Sequence, residues 1–105
     1  MRKRYQIYIT GNVQRVGFRN QASEIANNAG VTGKAMYIDH AVMIEAEGEL
    51  DKLLEFVSWC RRGPESCTIE SFEVTEMPLE HSVEFSVVHG IVSSGTLTEM
   101  FSLRN

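Results

Sequence analysis

The chain has 105 residues, of which 43% are hydrophobic, and its formal net charge at pH 7 is -4. This length and apolar fraction suit one domain with one core. The acidic balance argues against broad binding to nucleic acid or to anionic membranes, and no apolar run is long enough to cross a bilayer, so a cytoplasmic protein is expected.

The first predicted elements are a strand and a helix joined by a short loop. Apolar and polar residues alternate from Tyr5 to Thr10, which is the two-residue period of a strand with one buried face. From Phe18 onward, apolar residues recur at the spacing of a single helical stripe, and Gly30 ends that stripe. The loop therefore leads directly into the N-terminus of a helix.

A β-hairpin is predicted next. Two strand-like runs, Lys34 to Ile38 and Val42 to Glu47, are separated by Asp39-His40, which suits a tight connection. In the second run the apolar residues share one face. We expect Glu45 and Glu47, which alternate with them, to lie on the exposed face of this strand.

A second helix and two further strands complete the predicted elements. Apolar residues repeat at helical spacing from Leu50 to Cys60, and Gly63-Pro64 ends this run. Beyond it, the apolar face changes between Ile69 and Phe72, which indicates a bulge or bend within a strand. A last strand is expected over residues 83–87.

This order of elements predicts an α+β fold of the ferredoxin-like type, the split βαβ plan βαββαβ, with two helices covering one face of an antiparallel sheet. We assign the domain to residues 1–90. Residues 91–105 are predicted to form a C-terminal extension, and its apolar residues leave three interpretations open: an edge strand, a dimer contact or a flexible tail. A monomer is otherwise expected.

The cysteines and histidines do not predict a metal or redox site. Cys60 and Cys67 do not form a CxxC pair, and the three histidines are scattered along the chain without ligand spacing. Two reduced structural thiols are therefore favoured over a disulfide, and neither a metal nor a cofactor is expected.

The junction between the first strand and the first helix predicts an anion-binding site. Backbone N–H groups at a helix N-terminus lack intrahelical acceptors and lie at the positive end of the helix dipole, so they suit a phosphate or a sulfate. Arg19, at the start of the helix, adds a planar guanidinium that can bind two oxygens of the same anion.

The same stretch resembles a known family signature. Gly11 to Arg19 reads Gly-Asn-Val-Gln-Arg-Val-Gly-Phe-Arg, which matches the acylphosphatase pattern G-x-V-Q-G-V-G-F-R at eight of its nine positions. The likeness extends to Ala29–Gly33, to Val42–Gly48 and to Gly63-Pro64, and it covers about residues 4–89.

The resemblance implies hydrolysis of small acyl phosphates to carboxylate and phosphate, without metal or cofactor. It also implies that loop amides and the loop's arginine, here Arg19, hold the phosphoryl group, while an asparagine on the second strand orients the attacking water. The phosphate-binding residues carried over by the resemblance are Gln14, Arg15, Val16, Gly17, Phe18 and Arg19.

Two positions depart from the family pattern. Tyr37 stands where the family has its water-orienting asparagine, and a phenol places one hydroxyl farther out than the short amide would. Tyr37 is therefore the second candidate catalytic residue, beside Arg19. Arg15 replaces a glycine, so it either strains the loop, if its φ is positive, or adds a second cation beside the anion.

Three functions remain open at this point, so the sequence leaves undecided whether the protein is an enzyme. The first is an acylphosphatase whose activity is weak or lost. The second is a catalytically degenerate module that binds an acyl phosphate, phosphate or sulfate without turnover, and the third is a protein-interaction module.

Overall fold

The computed structural model describes residues 1–93, which fold into a five-stranded sheet with two helices packed on one face. In chain order the elements are β1 (Arg2–Asn12), α1 (Phe18–Ala29), β2 (Thr32–Ile38), β3 (Ala41–Glu49), α2 (Leu50–Arg62), β4 (Thr68–Met77) and β5 (Phe85–Val92). The predicted ferredoxin-like α+β fold is confirmed, and β5, the last of the predicted strands, follows the six elements of the βαββαβ plan. Neither helix is long and apolar enough to span a bilayer.

The strands lie in the order β4-β1-β3-β2-β5. β1 pairs antiparallel with both β3 and β4, and β2 pairs antiparallel with β3. β5 alone runs parallel to its neighbour, β2. The sheet was predicted to be antiparallel, but its edge strand β5 is parallel to β2. This strand is the last element that the structure describes.

The core lies between the helices and the sheet face formed by alternate apolar residues of the central strands. Ile7, Ile9 and Ile44 are fully buried there, together with aromatic side chains from both helices. Phe18, at the first position of α1, contacts Trp59 of α2 edge to face, with ring centroids 5.5 Å apart. This contact fixes the start of α1, and with it the end of the preceding loop.

The bulge predicted between Ile69 and Phe72 is confirmed. Thr10 pairs with Ser71 but Gly11 pairs with Ile69, so Glu70 is an extra residue on β4. Gly11 has a φ of +129°, and a β-carbon there would lie 2.1 Å from a backbone oxygen of β4. Glycine is therefore required where β1 leaves the sheet and enters the loop.

The expectation that Glu45 and Glu47 are exposed is wrong. The Glu47 side chain is completely buried and that of Glu45 is 13% exposed, because residues 78–84 cross the helix-free face of the sheet above them. The Glu80 N–H donates to Glu47 Oε1 at 2.8 Å. The alternation of apolar and polar residues in β3 cannot predict this burial, because the covering segment is distant in the sequence.

Arg4 is the centre of an ion-pair cluster on this covered face. Its guanidinium, 3% exposed, lies 3.0 Å from Glu45, 3.2 Å from Glu47 and 3.1 Å from Glu80. Burial alone would raise the pKa of Glu47, but hydrogen bonds from the Glu80 N–H and from Arg4 outweigh it and lower that pKa. We call these four residues the Arg4 cluster.

The last strand begins and ends later than predicted. β5 starts at Phe85, since Val83 is 91% exposed outside the sheet, and it continues to Val92. Ile91 and Val92, assigned from sequence to the C-terminal extension, thus form part of the sheet edge. Residues 94–105 lie outside the described residues, and the predicted dimer contact and flexible tail fall there.

The two cysteines are free thiols. Cys60 is buried in the core, where burial raises the pKa of its thiol, and Cys67 is partly buried near the end of α2. Within residues 1–93, no group of histidine, cysteine or acidic side chains is arranged to hold a metal ion.

Candidate functional site

The loop between β1 and α1 contains two residues in the left-handed backbone region. Gly17, with a φ of 78°, precedes the first residue of α1, and its carbonyl accepts the Gln21 N–H at 3.0 Å. Arg15 has a φ of 61°, which costs a residue with a β-carbon about 1–2 kcal/mol. Because its φ is positive, Arg15 strains the loop, as expected from the sequence for that case.

Several backbone donors of this loop lack acceptors. The N–H groups of Val16, Gly17 and Phe18 have no hydrogen-bond acceptor in the part of the chain that the structure describes. Phe18 is the first helical residue, so its N–H lies at the positive end of α1. This arrangement can bind the oxygens of a tetrahedral anion.

The apolar residues of the loop anchor it to the core. Phe18 is fully buried, and Val16 is partly buried against the same core cluster. Their side chains therefore point away from any anion held by the loop. Of these two predicted site residues, only the backbone N–H groups are available to bind it.

Gln14 joins the loop to the β2–β3 hairpin. Its side-chain amide donates to the carbonyls of Asp39 and Ala41, each at 3.0 Å. The hairpin connection is the predicted Asp39-His40, because Ile38 and Ala41 form the last pair of the two strands. The side chain of Gln14 thus ties the loop to the hairpin.

Arg19 is held at the mouth of the loop by neutral groups. Its Nη1 donates to the carbonyl oxygens of Val88, at 2.7 Å, and Gly90, at 3.2 Å. Its Cζ atom lies 3.7 Å from the centroid of the Tyr37 ring. Within residues 1–93 no carboxylate pairs with this guanidinium, so its orientation is fixed while its charge is not neutralised.

The carbonyls that hold Arg19 belong to a bulge in β5. Ala35 and Tyr37, two residues apart on β2, pair with residues of β5 that are four apart. The additional residues of β5 fall at 88–90, where Gly90 has a φ of +80°. Sequence reasoning missed this contribution to the site, although a glycine within a valine-rich strand pattern is a signal for a bulge.

Tyr37 contacts the middle of the loop and the first turn of α1. Its side chain is buried, 6% exposed, on the helix-facing side of β2. The Arg15 N–H donates to the Tyr37 hydroxyl oxygen at 2.8 Å, and the ring lies against Arg19. The residue that the resemblance aligns with the family asparagine thus forms a hydrogen bond with the loop itself.

The structure brings the predicted Arg19 and Tyr37 together with the backbone of the predicted loop. Arg19, Tyr37 and the amides of the loop meet at the junction of β1, α1 and β2, beside the bulge of β5. Arg15, whose side chain is exposed, is a second cationic residue on the same loop. In a chain of net charge -4, this gives the junction a local positive charge that suits an anionic ligand.

Comparison with known proteins points to one family. The acylphosphatase family model matches residues 5–87. An acylphosphatase from Synechococcus sp. (strain CC9311) is 35% identical over 88 residues, which cover 83% of this chain and 98% of that protein. The crystal structure of acylphosphatase from Bacillus subtilis is 33% identical, with a TM-score of 0.79, and the match covers 85% of this chain and 100% of that one.

A larger protein contains a similar domain. The crystal structure of full-length HypF in its phosphate- and nucleotide-bound form matches 90% of this chain at 28% identity, with a TM-score of 0.84. The match spans 13% of the HypF chain. The similarity therefore concerns one domain of that protein and not the activities of the whole.

Proposed function

The chain belongs to the acylphosphatase family, and on that premise we propose that residues 11–19 bind the phosphoryl group of a small acyl phosphate. The protein then hydrolyses this ligand slowly to carboxylate and phosphate. The observation that carries the proposal is Arg19, a cation held in place by two carbonyls and an aromatic ring beside amides without acceptors.

The chemistry requires charge stabilisation more than proton transfer. Water attacks phosphorus, the bond from phosphorus to the acyl oxygen breaks, and the carboxylate leaves with the bonding electrons while a proton of the water passes to solvent. A carboxylate is a good leaving group, so no general acid is needed. The loop amides and Arg19 stabilise the charge on the phosphoryl oxygens as the reaction proceeds.

The slow rate follows from what stands at the position of the family asparagine. An attacking water must be held in line with the breaking bond, and a misplacement of about 1 Å can reduce the rate by about a hundredfold. The Tyr37 hydroxyl already accepts a hydrogen bond from the Arg15 N–H. It offers no carboxamide oxygen with which to orient that water.

The same contact favours a second candidate function, anion binding without turnover. In that case the loop holds phosphate or an acyl phosphate, and the surface around it serves another protein. The two candidates share the binding step and differ only in whether a water is placed for attack.

Hydrolysis of acetyl phosphate, followed as release of inorganic phosphate, tests the proposal. We expect slow turnover by the unmodified protein, a rate lower by at least about a hundredfold in Arg19→Ala, and a faster rate in Tyr37→Asn, since an amide then stands where water is oriented. Arg61→Ala is the matched control, because this exposed arginine of α2 contacts Phe72 and lies outside the loop.

The outcomes separate the two candidates. Turnover that appears only in Tyr37→Asn supports binding without catalysis. Both candidates are excluded if neither the unmodified protein nor Tyr37→Asn hydrolyses acetyl phosphate and inorganic phosphate does not raise the unfolding temperature.

A further inference from the structure

The hydrogen bonds at the Tyr37 hydroxyl restrict what this group can do. A phenol hydroxyl acts as both donor and acceptor. Its oxygen accepts the Arg15 N–H at 2.8 Å, whereas its own proton has no acceptor among residues 1–93. The group therefore reaches a ligand mainly as a donor.

A donor is the wrong partner for an attacking water. Water must direct a lone pair at phosphorus, so a group that orients it for attack accepts a hydrogen from it. A hydroxyl that donates to the water instead occupies one of its two lone pairs and withdraws electron density from the nucleophile. An unprotonated phosphoryl oxygen only accepts hydrogen bonds, and the donor hydrogen of the Tyr37 hydroxyl matches it.

We propose that the Tyr37 hydroxyl is a phosphoryl-binding group that donates to an oxygen of the bound phosphate, and that it does not take over the water-orienting role of the family asparagine. This inference rests on the proposed binding of phosphate by residues 11–19. Tyr37 then has two effects: its ring positions Arg19, and its hydroxyl extends the donor set of the loop.

The surroundings of the hydroxyl strengthen it as a donor. Donation from the Arg15 N–H polarises the O–H bond, so hydrogen bonds in the series from amide to hydroxyl to anion reinforce one another. Tyr37 is also only 6% exposed, which limits competition from solvent. The Arg15 N–H already donates to the Tyr37 hydroxyl, so its effect on the ligand passes through that hydroxyl.

The test is Tyr37→Phe, which removes the hydroxyl and keeps the ring beside Arg19. We expect the Kd for inorganic phosphate, measured by titration calorimetry, to rise about 10–100-fold, as for loss of one hydrogen bond to a charged group. The KM for acetyl phosphate should rise by a similar factor while kcat changes less than about twofold, because uniform binding is lost.

Tyr8→Phe is the matched control. Tyr8 lies on the helix-free face of the same sheet, packed against the cluster that contains Met36 and Met43. Loss of its hydroxyl should leave both the phosphate Kd and the kinetic constants unchanged. If Tyr37→Phe folds poorly with its Arg15 N–H unpaired, the double variant Arg15→Gly/Tyr37→Phe relieves the left-handed strain, and it is compared with Arg15→Gly.

Three results overturn the inference while leaving the proposed function intact. An unchanged phosphate Kd in Tyr37→Phe shows that the hydroxyl does not contact the ligand. A lower Kd shows that it competes with phosphate for the Arg15 amide, and a reduced kcat at constant KM shows that it orients water. If the unmodified protein binds no phosphate at all, the proposed function itself fails, and the inference fails with it.

Discussion

Two arginines, Arg4 on β1 and Arg19 on α1, show how the partners of a charged side chain determine its role. Arg4, near the start of the strand, is 3% exposed and pairs with Glu45, Glu47 and Glu80. Arg19, beyond the end of the strand, is held by two backbone carbonyls and by the ring of Tyr37. Both side chains are fixed in position, but only the first is neutralised.

The contrast explains why one arginine stabilises the fold and the other suits a ligand. A buried guanidinium surrounded by carboxylates has its charge balanced within the protein. Carbonyl oxygens and an aromatic ring orient a guanidinium while leaving its net charge to attract an anion. An arginine with neutral partners at a helix N-terminus is thus a stronger indication of an anion site than a buried arginine with acidic partners.

We expect the replacement of Arg4 to cause the largest change in the free energy of unfolding. Arg4→Met leaves the buried carboxylate of Glu47 without its main cationic partner, which should lower the free energy of unfolding by about 3–5 kcal/mol. Urea denaturation measures this loss. Adding Glu47→Gln should recover part of the stability, and a loss below about 1 kcal/mol would contradict a structural role for the cluster.

The same substitution at Arg19 should act on binding instead. We expect Arg19→Met to raise the phosphate Kd by at least about a hundredfold, because a charge-assisted donor to the anion is lost. The free energy of unfolding should change by less than about 1 kcal/mol, since the side chain is only partly buried and its partners are neutral. Calorimetric titration with phosphate and urea denaturation are applied to both methionine variants. Arg4→Met should mainly lose stability and Arg19→Met should mainly lose phosphate binding. Equal losses of stability in the two variants would contradict this distinction.

Acid should weaken the Arg4 cluster without removing a residue. The pKa of Glu47 in the folded protein is lowered from 4.5, so its ionised form contributes stability that is present above that value and is lost as pH falls through the lowered pKa. Unfolding free energy measured over this acid range should therefore decrease. Glu47→Gln should show a shallower decrease than the unmodified protein, and an identical slope would mean that other carboxylates account for it.

Arg15→Gly is expected to have the smallest effect. Glycine adopts the φ of 61° without a steric penalty, so the variant should be more stable by about 1 kcal/mol, which is observable as a higher unfolding temperature. The N–H that donates to Tyr37 is retained. Asn12→Gly, at the last residue of β1, serves as a comparison, since φ is not positive there, and it should not be stabilising.

Local patterns in the sequence predicted the fold well where the chain makes its own periodic structure. Alternation gave β1, helical spacing gave α1, and the change of face between Ile69 and Phe72 correctly indicated the bulge at Glu70. The loop residues and Arg19 were also predicted to meet, because a short loop can only deliver them to the helix start.

Contacts between distant segments could not be predicted in this way. The cover over Glu47 comes from residues 78–84, and the carbonyls that hold Arg19 come from β5. The sequence placed Tyr37 beside the site on the basis of family position alone. Its hydrogen bond with the Arg15 N–H depends on the three-dimensional path of the loop, which no residue spacing encodes.

The parallel pairing of β5 with β2 has a consequence for the order in which the protein becomes competent to bind. Arg19 and Val88 are separated by 69 positions in the chain, so their hydrogen bond closes one of the longest loops in the molecule. A chain in which β5 has not docked has no bulge carbonyls to hold the guanidinium. Phosphate should therefore bind more tightly to chains in which β5 has joined the sheet than to chains in which it has not. The affinity for phosphate would then indicate whether the last strand has docked.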